Sequence, residues 1–264
     1  MEALVGFLFC LGCGVTATQA GGEAVDVELV LAVDVSRSMD IEEFELQRAG
    51  YVAALRHPDF VRAVQAGMNG RIAITYFEWA AAPRPESQVN WTIIDGPEAA
   101  NAFADELEAR PFEGFRGTSI SGAIYFGADL FDKNAVEGYR RVIDVSGDGP
   151  NNMGLPVLGA RNAALAKGIV INGLPILVRP SGTLARLDNY YADCVIGGPG
   201  SFMLPIRDPS EFSTAIRRKL ILEVSGIEPD AQVVPIQSDV LSKCTIGERQ
   251  RRYYSDPYFP ELDR

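Results

Sequence analysis

The sequence predicts a doubly wound α/β fold: a mostly parallel, six-stranded sheet with helices on both faces and one antiparallel edge strand. Three observations lead there. Strand and helix patterns alternate from Val27 to about Val224. Several strand candidates are nearly unbroken runs of Val, Ile and Leu, as strands covered on both faces require. The runs between them repeat apolar residues every three or four positions, the period of a helix with one buried face. At 264 residues the chain can form one such domain with a large core, plus a tail.

Val27–Val33 is the first strand. Asp40, followed three residues later by Glu43, is a variant of the capping box and opens the first helix, with the stripe Ile41, Phe44, Tyr51, Val52 and Leu55. Asp40 is therefore read as a cap rather than a ligand. His57, the only histidine, lies in Arg56-His57-Pro58-Asp59, a turn where this helix stops and another can start. Arg71–Phe77 is the second strand and Val89–Ile94 the third. The link between them, with Pro83 and Pro85, is too short for a crossover helix, so the third strand is expected to be the antiparallel edge. Helices follow on Ala100, Phe103, Ala104 and Leu107, and on Ile120, Ala123, Ile124, Ala128 and Phe131. Strands Arg141–Val145, Ile169–Leu177 and Phe202–Ile206 complete the sheet, and the stripe Phe212, Ala215, Ile216, Leu220 marks a last helix.

Beyond Gly226 the pattern dissolves. Pro229, Pro235, Pro257 and Pro260 are mixed with charges and aromatic residues, so the tail, 226–264, is expected to be loosely docked or disordered. At the other end, Leu4–Val15 is apolar but too short to span a bilayer as a helix, and Ala17-Thr18-Gln19-Ala20 follows it. This predicts a signal peptide over 1–20 and a periplasmic or secreted protein, although Met1-Glu2-Ala3 lacks the usual positive charge. Cys10-Leu11-Gly12-Cys13 distantly resembles a lipoprotein box, which makes lipid anchoring at Cys13 the lesser alternative.

The formal net charge is −11, and −10 once Glu2 leaves with the signal segment. An acidic surface interrupted only by the short Arg249–Arg252 stretch argues against nucleic-acid binding. No later apolar stretch reaches membrane-spanning length. After signal removal Cys194 and Cys244 remain. In an oxidising compartment the two can form a disulfide that ties the tail to the domain; two separate buried thiols are the other reading.

Asp34-Val35-Ser36-Arg37-Ser38 places a carboxylate and two hydroxyls where the first strand meets a loop. Ligands of open parallel sheets collect beyond these strand ends, and oxygen donors suit hard cations such as Mg²⁺, with Mn²⁺ or Ca²⁺ as alternatives. Gly117-Thr118-Ser119, before a helix, and Ser146-Gly147-Asp148-Gly149, after a strand, add a hydroxyl and a second carboxylate. Each piece alone has a plainer reading, Thr118 for instance as a helix N-cap. Their order and strand-end placement are what point to a metal site.

Asp34-x-Ser36-x-Ser38, Thr118 and Asp148-Gly149 resemble the metal-ion-dependent adhesion site of von Willebrand factor type A domains, a Rossmann-like fold, over residues 25–225. More narrowly, Val145-Ser146-Gly147-Asp148-Gly149-Pro150-Asn151-Asn152 and Cys194-Val195-Ile196-Gly197-Gly198-Pro199-Gly200 resemble the bacterial domain-of-unknown-function family eleven-ninety-four. The resemblance implies Ser36, Ser38 and Thr118 as hydroxyl ligands, with Asp34 and Asp148 contacting the ion directly or through water. Mg²⁺ takes six oxygens at about 2.0–2.1 Å and dehydrates reluctantly, so such a set leaves an exchangeable position. With only two carboxylates opposing it, the ion stays electrophilic and can accept an Asp or Glu from a protein partner. Arg37, between the serines, is expected to be solvated or to help dock an anionic partner.

The alternative is a haloacid-dehalogenase-like, Mg²⁺-dependent phosphatase with Asp34 as nucleophile. Ser36 then stands where that chemistry expects a second acid. No Gly-x-Ser-x-Gly elbow accompanies His57, and Cys194 has no evident basic partner, so neither a hydrolase triad nor thiol catalysis is expected. Asp144 lies inside a strand that should be buried and needs a partner. It is expected either to support the loop around Arg116 and Thr118 or to mark a misplaced strand boundary.

Overall fold

In the computed structural model, the described residues are 22–37, 39, 41–111, 113–178, 186–226 and 243–255. The expected signal peptide, Ser38, Asp40 and most of the tail lie outside them. Among the described residues five strands form the sheet: β1 (Glu23–Asp34), β2 (Ile72–Trp79), β3 (Pro83–Ile94), β4 (Val136–Gly147) and β5 (Ile169–Pro175), in the order β3-β2-β1-β4-β5. β1 pairs in parallel with β2 and β4, and β4 in parallel with β5. β3 runs antiparallel to β2 as expected. The hairpin turns over Ala80–Ala82, so Pro83 and Pro85 fall inside β3 and its register shifts twice. An edge strand tolerates prolines because its outer N–H groups need no ladder partner.

The expected sixth strand is not formed. Phe202–Ile206 runs beside β5 and the residue after it with isolated bridges, Gly173↔Met203 and Ile176↔Ile206, in place of a continuous ladder. Leu204 and Ile206 donate to the Gly173 and Pro175 carbonyls, but Pro175 has no N–H to give in return, and that missing bond separates the two bridges.

Alternation along the strands divides the core in two. Leu29 and Leu31 of β1 face α1 (Ile41–Leu55), α2 (Pro58–Gln65), α3 (Pro97–Glu108) and α7 (Phe212–Ser225), through Tyr51, Phe60, Phe103 and Ile216 among others. Val30 and Ala32 face α4 (Ile120–Leu130) and α5 (Val157–Ala166) on the other side. The periodicity reading passed over α5 because its buried face is Val157, Ala160 and Ala164, too small to stand out. His57 caps α2 by accepting the Asp59 N–H at 3.1 Å on Nδ1.

Tail residues 243–255 lie against the α4/α5 face and contain α8 (Ile246–Ser255), with Cys244 and Ile246 in that core. Cys194, in the π-helical turn Tyr191–Val195 that follows α6 (Leu187–Tyr190), is disulfide-bonded to Cys244. Closing a loop over a sequence separation of 50 stabilises the fold by roughly 4 kcal/mol in the chain-entropy account.

Asp144 neither braces the Thr118 loop nor marks a boundary error. It sits inside β4, where Lys219 Nζ of α7 reaches its Oδ1 at 2.9 Å. Lys219 also pairs with Glu223 at 2.5 Å, and Glu223 accepts from Asn172 at 2.6 Å. Lys219 is 1% exposed and Glu223 0%, so a charged trio is sealed between sheet and helix. Burial pushes Asp144 up; Lys219 pulls it down and Glu223 pushes it up again, leaving its pKa at about 6. The folded pKa lies above the unfolded value near 4, so the native state binds the extra proton in that window and stability falls as pH rises through it. We expect Asp144→Asn to flatten this slope of up to about 3 kcal/mol between pH 4 and 6.5, measured by urea unfolding at stepped pH. An unchanged slope would remove Asp144 as its source.

Candidate metal site

β1 lies between β2 and β4, so the chain leaves it on one side and later returns on the other. This reversal of strand order opens a crevice at the strands' carboxyl ends. Asp34 is the last residue of β1 and is 0% exposed. Its Oδ1 accepts the Ser36 N–H at 2.7 Å, and Gln47 of α1 donates to its backbone carbonyl at 3.2 Å. Its Oδ2 is buried without a hydrogen-bond donor among the described residues.

Asp148 follows β4 directly. The Ser36 hydroxyl lies 3.4 Å from Asp148 Oδ1, longer than a well-formed hydroxyl–carboxylate bond. Burial first, then the Asp148 charge, raises the Asp34 pKa well above the usual carboxylate range; the Ser36 N–H and hydroxyl and the Asp148 N–H pull the other way. Gly147 lets the two strand ends close up. A Cβ there would lie 2.8 Å from the Tyr191 hydroxyl oxygen and 2.9 Å from Asp34 Oδ2. The same approach brings the Tyr191 ring, from the turn beyond β5, beside Asp34.

Thr118 arrives on a loop strapped to both neighbouring strand ends. Phe115 N–H donates to Val35 O at 3.0 Å, Arg37 N–H to Phe115 O at 2.7 Å and Ser119 N–H to Ala80 O at 2.7 Å. Further back, Arg48 pairs with Glu78 and donates to the Arg110 and Pro111 carbonyls. Ser119, not Thr118, caps α4, accepting the Gly122 N–H at 3.2 Å. That leaves the Thr118 hydroxyl available: a Cβ on Gly149 would lie 3.8 Å from its Oγ1. The structure thus gathers Asp34, Ser36, Thr118 and Asp148 at one place, while Ser38 lies outside the described residues. Arg37 is exposed and donates to Gly114 O at 3.1 Å.

Two neighbours carried no role in the sequence reading. Asn152 Oδ1 accepts the Thr118 N–H at 2.9 Å, and Asn151 Oδ1 accepts the Ser121 N–H at 3.0 Å, which joins the Asp148 loop to the start of α4. Their presence in the quoted Gly-Pro-Asn-Asn motif was the only available signal; for Tyr191 the sequence offered none.

Chemically the set fits a hard divalent cation. A buried and a half-buried carboxylate stand close together, one oxygen of the first has no donor among the described residues, and the remaining ligating atoms are hydroxyls. Among the described residues no group of three His, Cys, Asp or Glu gathers anywhere, so no imidazole or thiolate site competes.

The doubly wound fold is similar to that of solved von Willebrand factor type A domains and related structures. The domain from Catenulispora acidiphila superposes with a TM-score of 0.53 at 14% identity, over 76% of this chain and 43% of that one. Proximal thread matrix protein 1 of the mussel byssus, solved with zinc in its MIDAS motif, gives 0.51 at 14% identity, over 77% and 49%. The pilus adhesin SpaC of Lactobacillus rhamnosus GG gives 0.54 at 11%, over 77% and 31%. This chain therefore spans less than half of each. The family model described as "Protein of unknown function (DUF1194)" matches residues 24–228, and the chain belongs to that family. No curated protein matches it in sequence.

Proposed function

We propose that the protein is an exported, non-enzymatic binding module that holds Mg²⁺, or Mn²⁺ or Ca²⁺, through Asp34, Ser36, Ser38, Thr118 and Asp148 and recruits a protein partner by an acidic side chain. The observation that carries this reading is Asp34: a fully buried carboxylate with one oxygen that has no donor among the described residues, close to a second carboxylate. Such a group is costly unless a positive charge answers it. A bound dication supplies that charge and a coordination position for an incoming carboxylate. The chain's own residues fix the rest. Gln47 and the Ser36 N–H hold Asp34, the strapped loop holds Thr118, and hydroxyl donors leave the site's charge incompletely neutralised. The apolar stretch at Leu4–Val15 supports export, and among the described residues no helix is long and apolar enough to cross a membrane.

The test is calorimetric titration of the chain lacking residues 1–20 with Mg²⁺, Mn²⁺ and Ca²⁺, followed by a periplasmic pull-down in Mg²⁺ or chelator. Cation binding together with capture that disappears in chelator and in Asp34→Ala is expected. Capture undiminished by chelator would reject the mechanism. Hydrolysis of simple phosphate esters that disappears in Asp34→Ala would replace it with a phosphatase.

A further inference from the structure

The C-terminal helix is docked on the candidate site. The α8 backbone at Gly247 packs so closely on the Asp148–Asn152 loop that a Cβ there would fall 2.2 Å from the Asn151 carbonyl oxygen. Glu248 Oε1 accepts the Asn151 side-chain N–H at 2.8 Å, and Arg251 donates to Asn152 O at 3.4 Å. Tyr190, four residues before Cys194, accepts the Asn151 backbone N–H at 3.2 Å and donates to Cys244 O at 3.5 Å. Asn151 is 0% exposed beneath these contacts.

Asn151 and Asn152 carry the contact onward. Through Ser121 and Thr118 they fix the α4 end of the loop that presents the Thr118 hydroxyl. The disulfide Cys194–Cys244 fastens α8 beside the turn that carries Tyr191, itself close to Asp34. Two separate tethers thus hold α8: the disulfide to the Tyr191–Val195 turn, and hydrogen bonds to the Asp148–Asn152 loop.

We propose that α8 is a clamp on the site: Glu248 and Asn151 are positioning residues that hold the Asp148 loop and Thr118 in register, and the Cys194–Cys244 bond keeps the clamp seated. The effect on cation affinity rests on the metal-site reading above; the hold on the loop does not. Groups that orient a ligating side chain change metal affinity by about ten- to a hundredfold when removed, and the same range applies here. Opening the disulfide takes two electrons and two protons from a small dithiol, which becomes a cyclic disulfide and leaves two protein thiols.

Amide hydrogen exchange and cation titration are measured on the full chain, oxidised and after dithiol treatment, and on Glu248→Ala and Glu248→Gln. We expect reduction and Glu248→Ala each to speed exchange at Thr118, Ser121 and Asn152 at least tenfold, with β1 unchanged, and to weaken cation binding about tenfold. Glu248→Gln, which keeps an acceptor for Asn151, is expected to restore both. Exchange that is the same in all forms overturns the clamp whatever the cation does. Faster exchange with unaltered affinity overturns its control of the site. No cation binding by the oxidised chain overturns the site itself and that control with it, while exchange alone still decides the hold on the loop.

Discussion

Asp34→Asn is expected to weaken divalent-cation binding by at least about a hundredfold, or about 3 kcal/mol, and in chelator to make the domain more stable than the native one. The opposite signs follow from one environment. Asp34 is fully buried, its Oδ2 has no donor among the described residues, and the Asp148 charge raises its pKa further. The amide keeps an oxygen for the Ser36 N–H, which the native Oδ1 accepts at 2.7 Å, so local geometry is retained. It removes the uncompensated charge, whose burial costs at least about 1–3 kcal/mol when unanswered. Thermal unfolding in chelator and calorimetric titration at pH 7.5 read the two effects. A variant that loses stability in chelator would make Asp34 a structural residue and undo the metal-site reading.

Lys219→Met is expected to destabilise the domain by about 3–5 kcal/mol, lowering its thermal midpoint by roughly 10 °C. Lys219 is the cation between Asp144 and Glu223, and all three are sealed from solvent. Burial works against its charge, yet the two carboxylates outweigh this and hold its pKa above the ordinary value. Removing it leaves two acids facing each other without a counter-charge. The triple change Lys219→Met, Asp144→Leu, Glu223→Leu is expected to recover most of the loss, because apolar side chains of similar size need no counter-charge. A full loss persisting in the triple variant would assign the effect to packing rather than charge.

How far the sequence reached depends on what kind of signal each element sends. β1 was legible because Val27–Val33 is continuously apolar, and Asp34 and Asp148 because they end strands whose order could be argued. The antiparallel edge followed from the length of the link to Val89. Phe202–Ile206 misled: Ile206 is buried and Met203 and Leu204 pack on the core, but Pro175 opposite withholds a donor that a ladder needs. α5 hides its buried stripe among alanines, and α8 has a mostly polar sequence whose docking is secured by Cys244, Gly247 and Glu248 rather than by a broad apolar face. Asn151, Asn152 and Tyr191 act through backbone groups and through space, which no local spacing reveals. The partner of Asp144 lies on a helix far along the chain, and only the folded arrangement brings Lys219 beneath β4.

The irregular ladder of β3 has a meaning for behaviour at high concentration. A free sheet margin is a template on which another copy can grow a strand, and such growth leads to aggregates. Here one margin carries Pro83, Pro85 and two slips of register, and the opposite one is overlaid by the proline-broken segment around Met203 and Ile206. Neither rim presents the flat, evenly spaced row of donors and acceptors that fibril growth requires, so self-association through the sheet is disfavoured at both ends.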